Sequence, residues 1–469
     1  MVRIGLEIHV QLNTRTKLFC SCKNEASKKP NVNTCPICLG MPGSKPLINE
    51  EAIKKAIKIG LMLNLNFSKK MFFSRKSYFY PDLSKNYQIT QYELPVGTQG
   101  YFLINVKGRI KKIRIRRIHI EEDPAQIIHV GGSITNAEYV LLDYNRSGVP
   151  LCEIVTEPDF ESSEEVIIFM KKLLSYLQHI KVFDIRKCKW RCDVNVSIPK
   201  GNRSEIKNVG SFKGIKSAIN YEIIRQESLI NKGFEVKRET RHFNASTNTT
   251  ELLRTKEEEI DYGYIFEPDL TSFELSSYIK DSEDNMPELP EEIIKRLIKE
   301  YRISKNNAEI LVQKDPLFVK FFEKCSKMYE NKKKLSNWIV GDLFKCLNFQ
   351  EKSLFESKIK PNDFVDFLNL MDSKKITERL GKELIKEYVE KGIPPRQLIN
   401  KKNLNLLSKK EILNVIEKVV KENPKSVKDY QEGKEIVIDF LIGEVMKKTR
   451  ATADPKITRE LLEKKLKNK

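Results

Sequence analysis

The chain has 469 residues, with 84 Lys and Arg against 64 Asp and Glu, for a formal net charge of +20. At 40% hydrophobic and 32% charged residues it is neither collagen-like nor wholly disordered. Its length predicts about two to four domains. No unbroken apolar run reaches about 18 residues, so no membrane-spanning helix and no membrane partner are expected. The opening MVRIGLEIHV turns polar too early for a secretory signal. Nine Cys is an odd number in a large, Lys-rich chain. That fits reduced thiols and a metal site in the cytoplasm better than a disulfide framework. The positive surplus suits a polyanionic partner such as nucleic acid, with solubility alone as the plainer explanation.

Residues 1 to 290 read as strand-rich, with short alternating runs and frequent turn signals. The first run is Leu6-Glu7-Ile8-His9-Val10-Gln11-Leu12. Side chains alternate across a strand, so Glu7, His9 and Gln11 share a face opposite the aliphatics. Cys20-x-Cys22 follows, then Cys35-x-x-Cys38. Four thiolates in two close pairs are a good tetrahedral Zn²⁺ arrangement, and four protein ligands would make the site structural. Residues 74–88, SRKSYFYPDLSKNYQ, mix cations, hydroxyls and aromatics. They read either as an aromatic strand and turn or as a phosphate- and base-binding loop.

Three more runs repeat the first layout. His119 and Glu121 share the polar face of Ile118–Glu121. Asp193, Asn195 and Ser197 share one around Val194–Ile198, and Glu205 and Lys207 share a third. The plainer reading is an antiparallel sheet with one solvated side. In so basic a chain such a side should be Lys-rich, yet these positions carry four carboxylates and two of only five His. Carboxylates gathered on one face repel unless a cation joins them. Mg²⁺ takes oxygen ligands and is commonly completed by substrate phosphates. Alternation changes phase at Arg116-Arg117, which predicts a bulge re-aiming His119 and Glu121. There is no G-x-x-x-x-G-K-[ST] or G-x-G-x-x-G loop, so ATP chemistry would need another geometry. There is no G-x-S-x-G elbow or Cys/His pairing, so no amidase centre is expected.

Pro287 and Pro290 mark a change of texture. Beyond them, apolar residues recur at three- and four-residue spacing, which predicts amphipathic helices over residues 291–400. A second boundary falls near PPRQLINKKNLNLL. The tail, residues 401–469, reads as three or four short helices interrupted at Gly433, Gly443 and Pro455.

Several long stretches carry a resemblance: GLEIHVQL, NTCPICLGMPGSKP, SYFYPDLSKNYQITQ, HIEEDPAQ, LLDYNRSGVPLCEIVTEPD, CDVNVSI, EIKNVGSFK, ETRHF and NPKSVKDYQEGKEIVIDFLIGEVMKKT. In these the chain resembles, from end to end, the B subunits of tRNA-dependent aspartyl/glutamyl amidotransferases. The resemblance implies an α+β fold: a mainly antiparallel-sheet cradle similar to glutamine synthetase and guanido kinases, then a helical domain, then a YqeY-like tail that contacts tRNA. It implies that ATP phosphorylates the side-chain carboxylate of misacylated Asp-tRNA(Asn) or Glu-tRNA(Gln). Ammonia then displaces the phosphate. It would come from an amidase partner in a heterotrimer, tied in place by a third, small protein.

Matched motif by motif, the resemblance makes Glu7 and His9 metal-side residues, with Glu121 or Glu122 beside them. Asp193, Asn195, Glu205 and Lys207 line the same floor. Lys76, Tyr78, Tyr80, Ser84 and Lys85 would contact nucleotide or the tRNA end, and Arg146 and Glu153 are further pocket candidates. The family pattern D-Y-R-Y-F-P-E-P-D appears as DYGYIFEPD at 261–269, so Gly263 stands where the pattern has Arg. A competing expectation is a zinc-containing RNA-binding protein without catalysis.

Overall fold

The computed structural model describes the chain except residues 132–136, 256–262, 403–406, 435, 450–451 and 468–469. It divides into two compact units, Met1–Pro290 and Glu291–Lys469.

The first unit is built on a nine-stranded sheet. From one edge to the other its strands are Thr249–Thr255, Glu239–Asn244, Ser204–Val209, Trp190–Ser197, Arg3–Gln11, Val149–Thr156, Arg109–Asp123, Gly97–Val106 and Asn66–Phe67. All neighbours are antiparallel except Ser204–Val209 with Glu239–Asn244. The Arg3–Gln11 strand is central, and its Ile4, Leu6, Ile8 and Val10 are fully buried. Cross-strand partners Ile8, Ile154 and Ile118 extend this apolar face. The helices Glu50–Met62, Ser163–His179 and Phe212–Asn231 pack against it. Each begins at a side-chain cap: Asn49, Ser162 and Ser211 accept from backbone N–H groups of their first turns. Burying each such aliphatic side chain stabilises the unit by about 1.5–3 kcal/mol, which fixes the register. The opposite face is thereby left to the polar residues of the same strands.

The expected bulge is present. Val155 pairs with Arg117 and Thr156 with Ile115, so the register shifts at Arg116. Upstream, Ile113 and Ile115 point to the core; downstream, Ile118 and Ile120 do. The extra residue moves Arg117, His119 and Glu121 onto the polar face. A three-stranded sheet, ordered Gly263–Phe266, Ser74–Ser77, Tyr87–Thr90, carries the cationic, aromatic segment. Gly263 lies opposite Ser77 in it; Asp261 and Tyr262 lie outside the described residues.

The second unit is helical among its described residues, from Pro290–Tyr301 to Pro455–Lys467. Residues 407–467 contribute Lys409–Glu422, Pro424–Gln431, Val437–Lys448 and Pro455–Lys467. Gly443 does not interrupt a helix, contrary to expectation. It sits inside Val437–Lys448, where buried Leu441, Val445 and Met446 outweigh the roughly 1 kcal/mol that a helical Gly costs. Pro455 starts a helix rather than breaking one, because the first turn needs no N–H from it.

Candidate active site and cysteine knuckle

The polar face gathers residues from five strands. In one row across the sheet, His9 lies opposite Glu153, and Glu153 opposite His119. His9 Nε2 is 3.3 Å from Glu153 Oε2 and 3.6 Å from Glu121 Oε1. His119 Nε2 is 3.2 Å from the same Glu153 oxygen and 3.6 Å from Glu121 Oε2. Thr90 donates to Glu121 at 3.1 Å. Burial disfavours imidazolium, yet Glu153 and Glu121 override it and lift both His9 and His119 to about 9. Burial likewise opposes the two carboxylates, and the paired histidines still hold Glu153 well below, and Glu121 below, the usual range.

In the adjacent row Glu7 lies opposite Asp193. Asn195 donates to Glu7 at 3.0 Å. Lys207 pairs with Asp193 at 2.7 Å and with Glu205 more closely still. The N–H of Asn208, a residue with φ of 58°, donates to Asp193 at 2.7 Å. Glu7 is pushed up, by burial first and then by Glu153. Lys207 is held charged: burial opposes this, but Asp193, Glu205 and Glu7 prevail.

Two groups of donors therefore adjoin: His9, Glu121 and Glu153, and Glu7, Asp193 and Glu205. Within each group the candidate ligand atoms lie within 4.8 Å of one another. Oxygen-rich donor sets of this kind suit a hard divalent cation.

The other expected residues sit differently. Glu122 points away from the cluster: its carboxylate takes Lys85 Nζ at 2.5 Å and the N–H of Ile89 at 2.9 Å. Ser84 donates to the carbonyl of Cys38 at 3.0 Å. Lys76 lies opposite Tyr264, with its ammonium 5.8 Å from the Tyr78 ring centre. Tyr80 is about half exposed. Arg146 donates to the carbonyls of Pro124 and Ala125 and flanks Asp123 at 3.4 Å, a loop-bracing arrangement outside the cluster. Glu153, by sequence only a pocket candidate, stands at the centre between the two histidines. Its signal lies in the pattern: it is the one charged position in the apolar run Leu151–Val155. Strand parity puts His119 on the polar face, but no motif gives it a role in the site.

A family model described as the GatB/GatE catalytic domain matches residues 2–281, and one described as the GatB domain matches residues 320–466. The chain belongs to the GatB family. It is 42% identical over 472 residues to the B subunit of the aspartyl/glutamyl-tRNA(Asn/Gln) amidotransferase of Thermotoga maritima, covering 98% of each chain. To the protein of that name from Saccharolobus solfataricus it is 42% identical over 475 residues, and to that from Persephonella marina 41% over 476, covering 99% of each chain in both cases.

In this GatB chain the four cysteines of the knuckle also converge, with their sulfurs within the same 4.8 Å limit. All nine cysteines are free thiols. A hydrogen bond from Cys20, the N–H of Cys35 and the nearby Lys17 bring Cys38 down to about 5, while Cys20 is pushed up. Lys17 is 0% exposed. Its ammonium donates to the carbonyls of Asn33 at 2.7 Å and Tyr144 at 3.2 Å, and lies 3.6 Å from Cys38 Sγ. Among the described residues it has no carboxylate partner, and a buried cation needs a compensating anion. Four thiolates around a divalent ion carry net negative charge, so the donor set and Lys17 together fit zinc. Gly40 closes the knuckle at φ of 67°, so close to Lys85 that a Cβ there would fall 2.3 Å from its Cγ.

Proposed function

We propose that the polar sheet face is where a carboxylate on tRNA is phosphorylated by ATP before amidation. The chain is one component of a tRNA-dependent Asp/Glu amidotransferase, a ligase, and the comparisons do not support the non-catalytic RNA-binding alternative. The finer steps rest on one observation: five buried or half-buried carboxylates and two histidines meet on one strand face, in and beside two adjoining donor groups.

A free carboxylate is a poor acyl donor because oxide would have to leave. Its oxygen attacks the γ-phosphorus, an O–P bond forms, the bond to the bridging oxygen breaks, and ADP leaves with that electron pair. Ammonia then attacks the acyl carbon, phosphate leaves with the C–O pair, and a proton is lost to give the amide. Mg²⁺, when bound, offsets the charge between carboxylate and triphosphate. The residues that would hold it are Glu121, Glu153 and His9 in one group and Glu7, Asp193 and Glu205 in the other. Lys207 pairs with Asp193 and Glu205, and Asn195 orients Glu7. Lys76, Tyr78 and Tyr80 would face nucleotide or the tRNA end.

The same proposal takes the sheet unit as a cradle like that of glutamine synthetase and guanido kinases. One polar face and a helix-covered back support it. It divides the helical unit into residues 291–400 and a YqeY-like tail, 401–469, that meets tRNA. The tail's 18 Lys and Arg against 11 Asp and Glu suit a phosphate backbone. The ammonia source would be a partner amidase, held with a small third protein in a heterotrimer in the cytoplasm. Zinc in the knuckle would brace the loop bearing Ser84 and Lys85.

The test is amide formation on Asp-tRNA(Asn) and Glu-tRNA(Gln) by the complex with its amidase partner, ATP and Mg²⁺. Amide and ADP should form together on at least one of them, and both should form about 10³-fold more slowly with Glu153→Gln. A Glu153→Gln complex at full rate would refute the site.

A further inference from the structure

Arg117 is a feature of the polar face that the proposed chemistry leaves without a task. The strand Arg109–Asp123 carries three arginines in a short run. Arg114 pairs with Asp159 at 2.6 Å and Arg116 with Glu157 at 2.9 Å, both at the exposed margin. Arg117 differs from both. Its Nε is buried without a hydrogen bond, and among the described residues no carboxylate pairs with it. Yet it sits in a field of carboxylates. The bulge at Arg116 turns it onto the polar face, two residues before His119, in the cross-strand row that runs Asp193, Glu7, Val155, Arg117.

Tyr264 locates it further. The Tyr264 ring stacks on Tyr92 with centroids 4.2 Å apart. Its hydroxyl is raised to about 12, by burial first and then by Glu121, against the opposing charge of Arg117, with Glu153 also acting on it. One side chain thus feels Arg117, Glu121 and Glu153 together.

The nearby carboxylates are already taken. Glu153 and Glu121 are engaged by the two histidines, and Asp193 and Glu205 by Lys207. A buried guanidinium N–H with no acceptor is costly, so it persists where a ligand supplies the acceptor. The planar fork of Arg matches the paired oxygens of a phosphoryl group.

We propose that Arg117 is a catalytic residue that donates to the phosphoryl group as it passes from ATP to the carboxylate. This rests on the phosphorylation reading above. The ligand is a tetrahedral or metaphosphate-like anion rather than a second carboxylate, because the face already holds carboxylates that Arg117 does not engage. Charge on the equatorial oxygens is greatest during transfer, so the effect falls mainly on kcat.

The experiment compares wild type, Arg117→Met and Arg117→Lys in the complete complex with its partner proteins. It measures ADP and amide formation from ATP, Mg²⁺ and misacylated tRNA, and Mn²⁺ binding by electron paramagnetic resonance. Arg117→Met should form ADP about 10²–10³-fold more slowly, as when a single transition-state donor is lost. Its KM for the tRNA and its Mn²⁺ affinity should stay within about threefold of wild type. Arg117→Lys keeps the charge but loses the fork, and should fall between the two. If Arg117→Met is poorly folded by its melting curve, Arg117→Lys is read in its place. ADP formation within about threefold of wild type in the folded variant overturns the role of Arg117 alone. A wild-type complex that makes no ADP overturns the phosphorylation reading and this inference with it.

Discussion

The cysteine knuckle and the carboxylate–histidine face are two donor clusters in one unit, assembled by opposite routes. The knuckle takes all its sulfurs from residues 20–38 of the chain. The face takes its donors from residues 7–205, placed side by side only by strand register. The knuckle is soft and sulfur-lined, with one buried Lys beside it; the face is hard, oxygen-rich and crowded with charge of both signs. A local cluster survives small changes in the sheet. A register-built cluster depends on every aliphatic on the opposite face, since a one-residue slip would turn each donor to the wrong side.

Perturbing each cluster separately should show this difference. The largest effect is expected at the centre of the face. Glu153→Gln or Glu7→Gln should slow ADP and amide formation by about 10³-fold or more, as loss of a group that holds the reacting charges does. Zinc content should not change. A loss of zinc in these variants would mean that the two clusters are not independent.

Next, Lys17→Met should weaken zinc retention about 10–100-fold in competition with a chromogenic chelator, the range typical for partners behind the ligands. The same change should leave Mn²⁺ binding at the face unaltered. Equal zinc retention in the variant would remove Lys17 as the thiolate counter-ion.

The pH dependence should separate the clusters further. His9 and His119, raised to about 9, keep their protons at neutral pH in the metal-free chain. A cation at His9 must displace one, so Mn²⁺ affinity at the face should climb as pH rises toward 9 and then level. In the metal-free protein the sign reverses. The imidazolium pairs with Glu153 and Glu121 contribute stability that is complete below about pH 6.5 and is lost as pH rises through 9. Melting of the metal-free protein at pH 6 and at pH 9.5 checks this, and a higher melting temperature at the alkaline end would contradict it.

The smallest effect separates neighbours. Glu121→Gln should impair Mn²⁺ binding strongly. Glu122→Gln removes only the acceptor for Lys85 and Ile89 and should alter that binding by a few-fold at most. Titration of the two variants side by side decides between adjacent carboxylates in one E-E-D run.

Much of this is legible in the chain itself. The knuckle can be read from spacing, because four Cys in 19 residues leave the backbone little choice. The strand faces can be read from parity, including the phase change at Arg116-Arg117. Partnership across strands cannot. Glu153 and His119 become central only once Val149–Thr156 is placed between Arg3–Gln11 and Arg109–Asp123, and no local pattern states that order. Lys17 looks like any surface Lys, since its burial depends on the loop carrying Tyr144, more than 100 residues away. Gly443 misleads because propensity is local, whereas the packing of its helix is not.

The central claim is that the strand face binds divalent cations through its two adjoining groups. Mn²⁺ titration of the complex with ATP, followed by electron paramagnetic resonance, tests it most directly. We predict that Glu153→Gln loses the binding event at His9 and Glu121, that Asp193→Asn loses the one at Glu7 and Glu205, and that the double variant retains neither. A double variant that binds Mn²⁺ as tightly and as fully as wild type would show that the cations, and the chemistry they support, lie elsewhere.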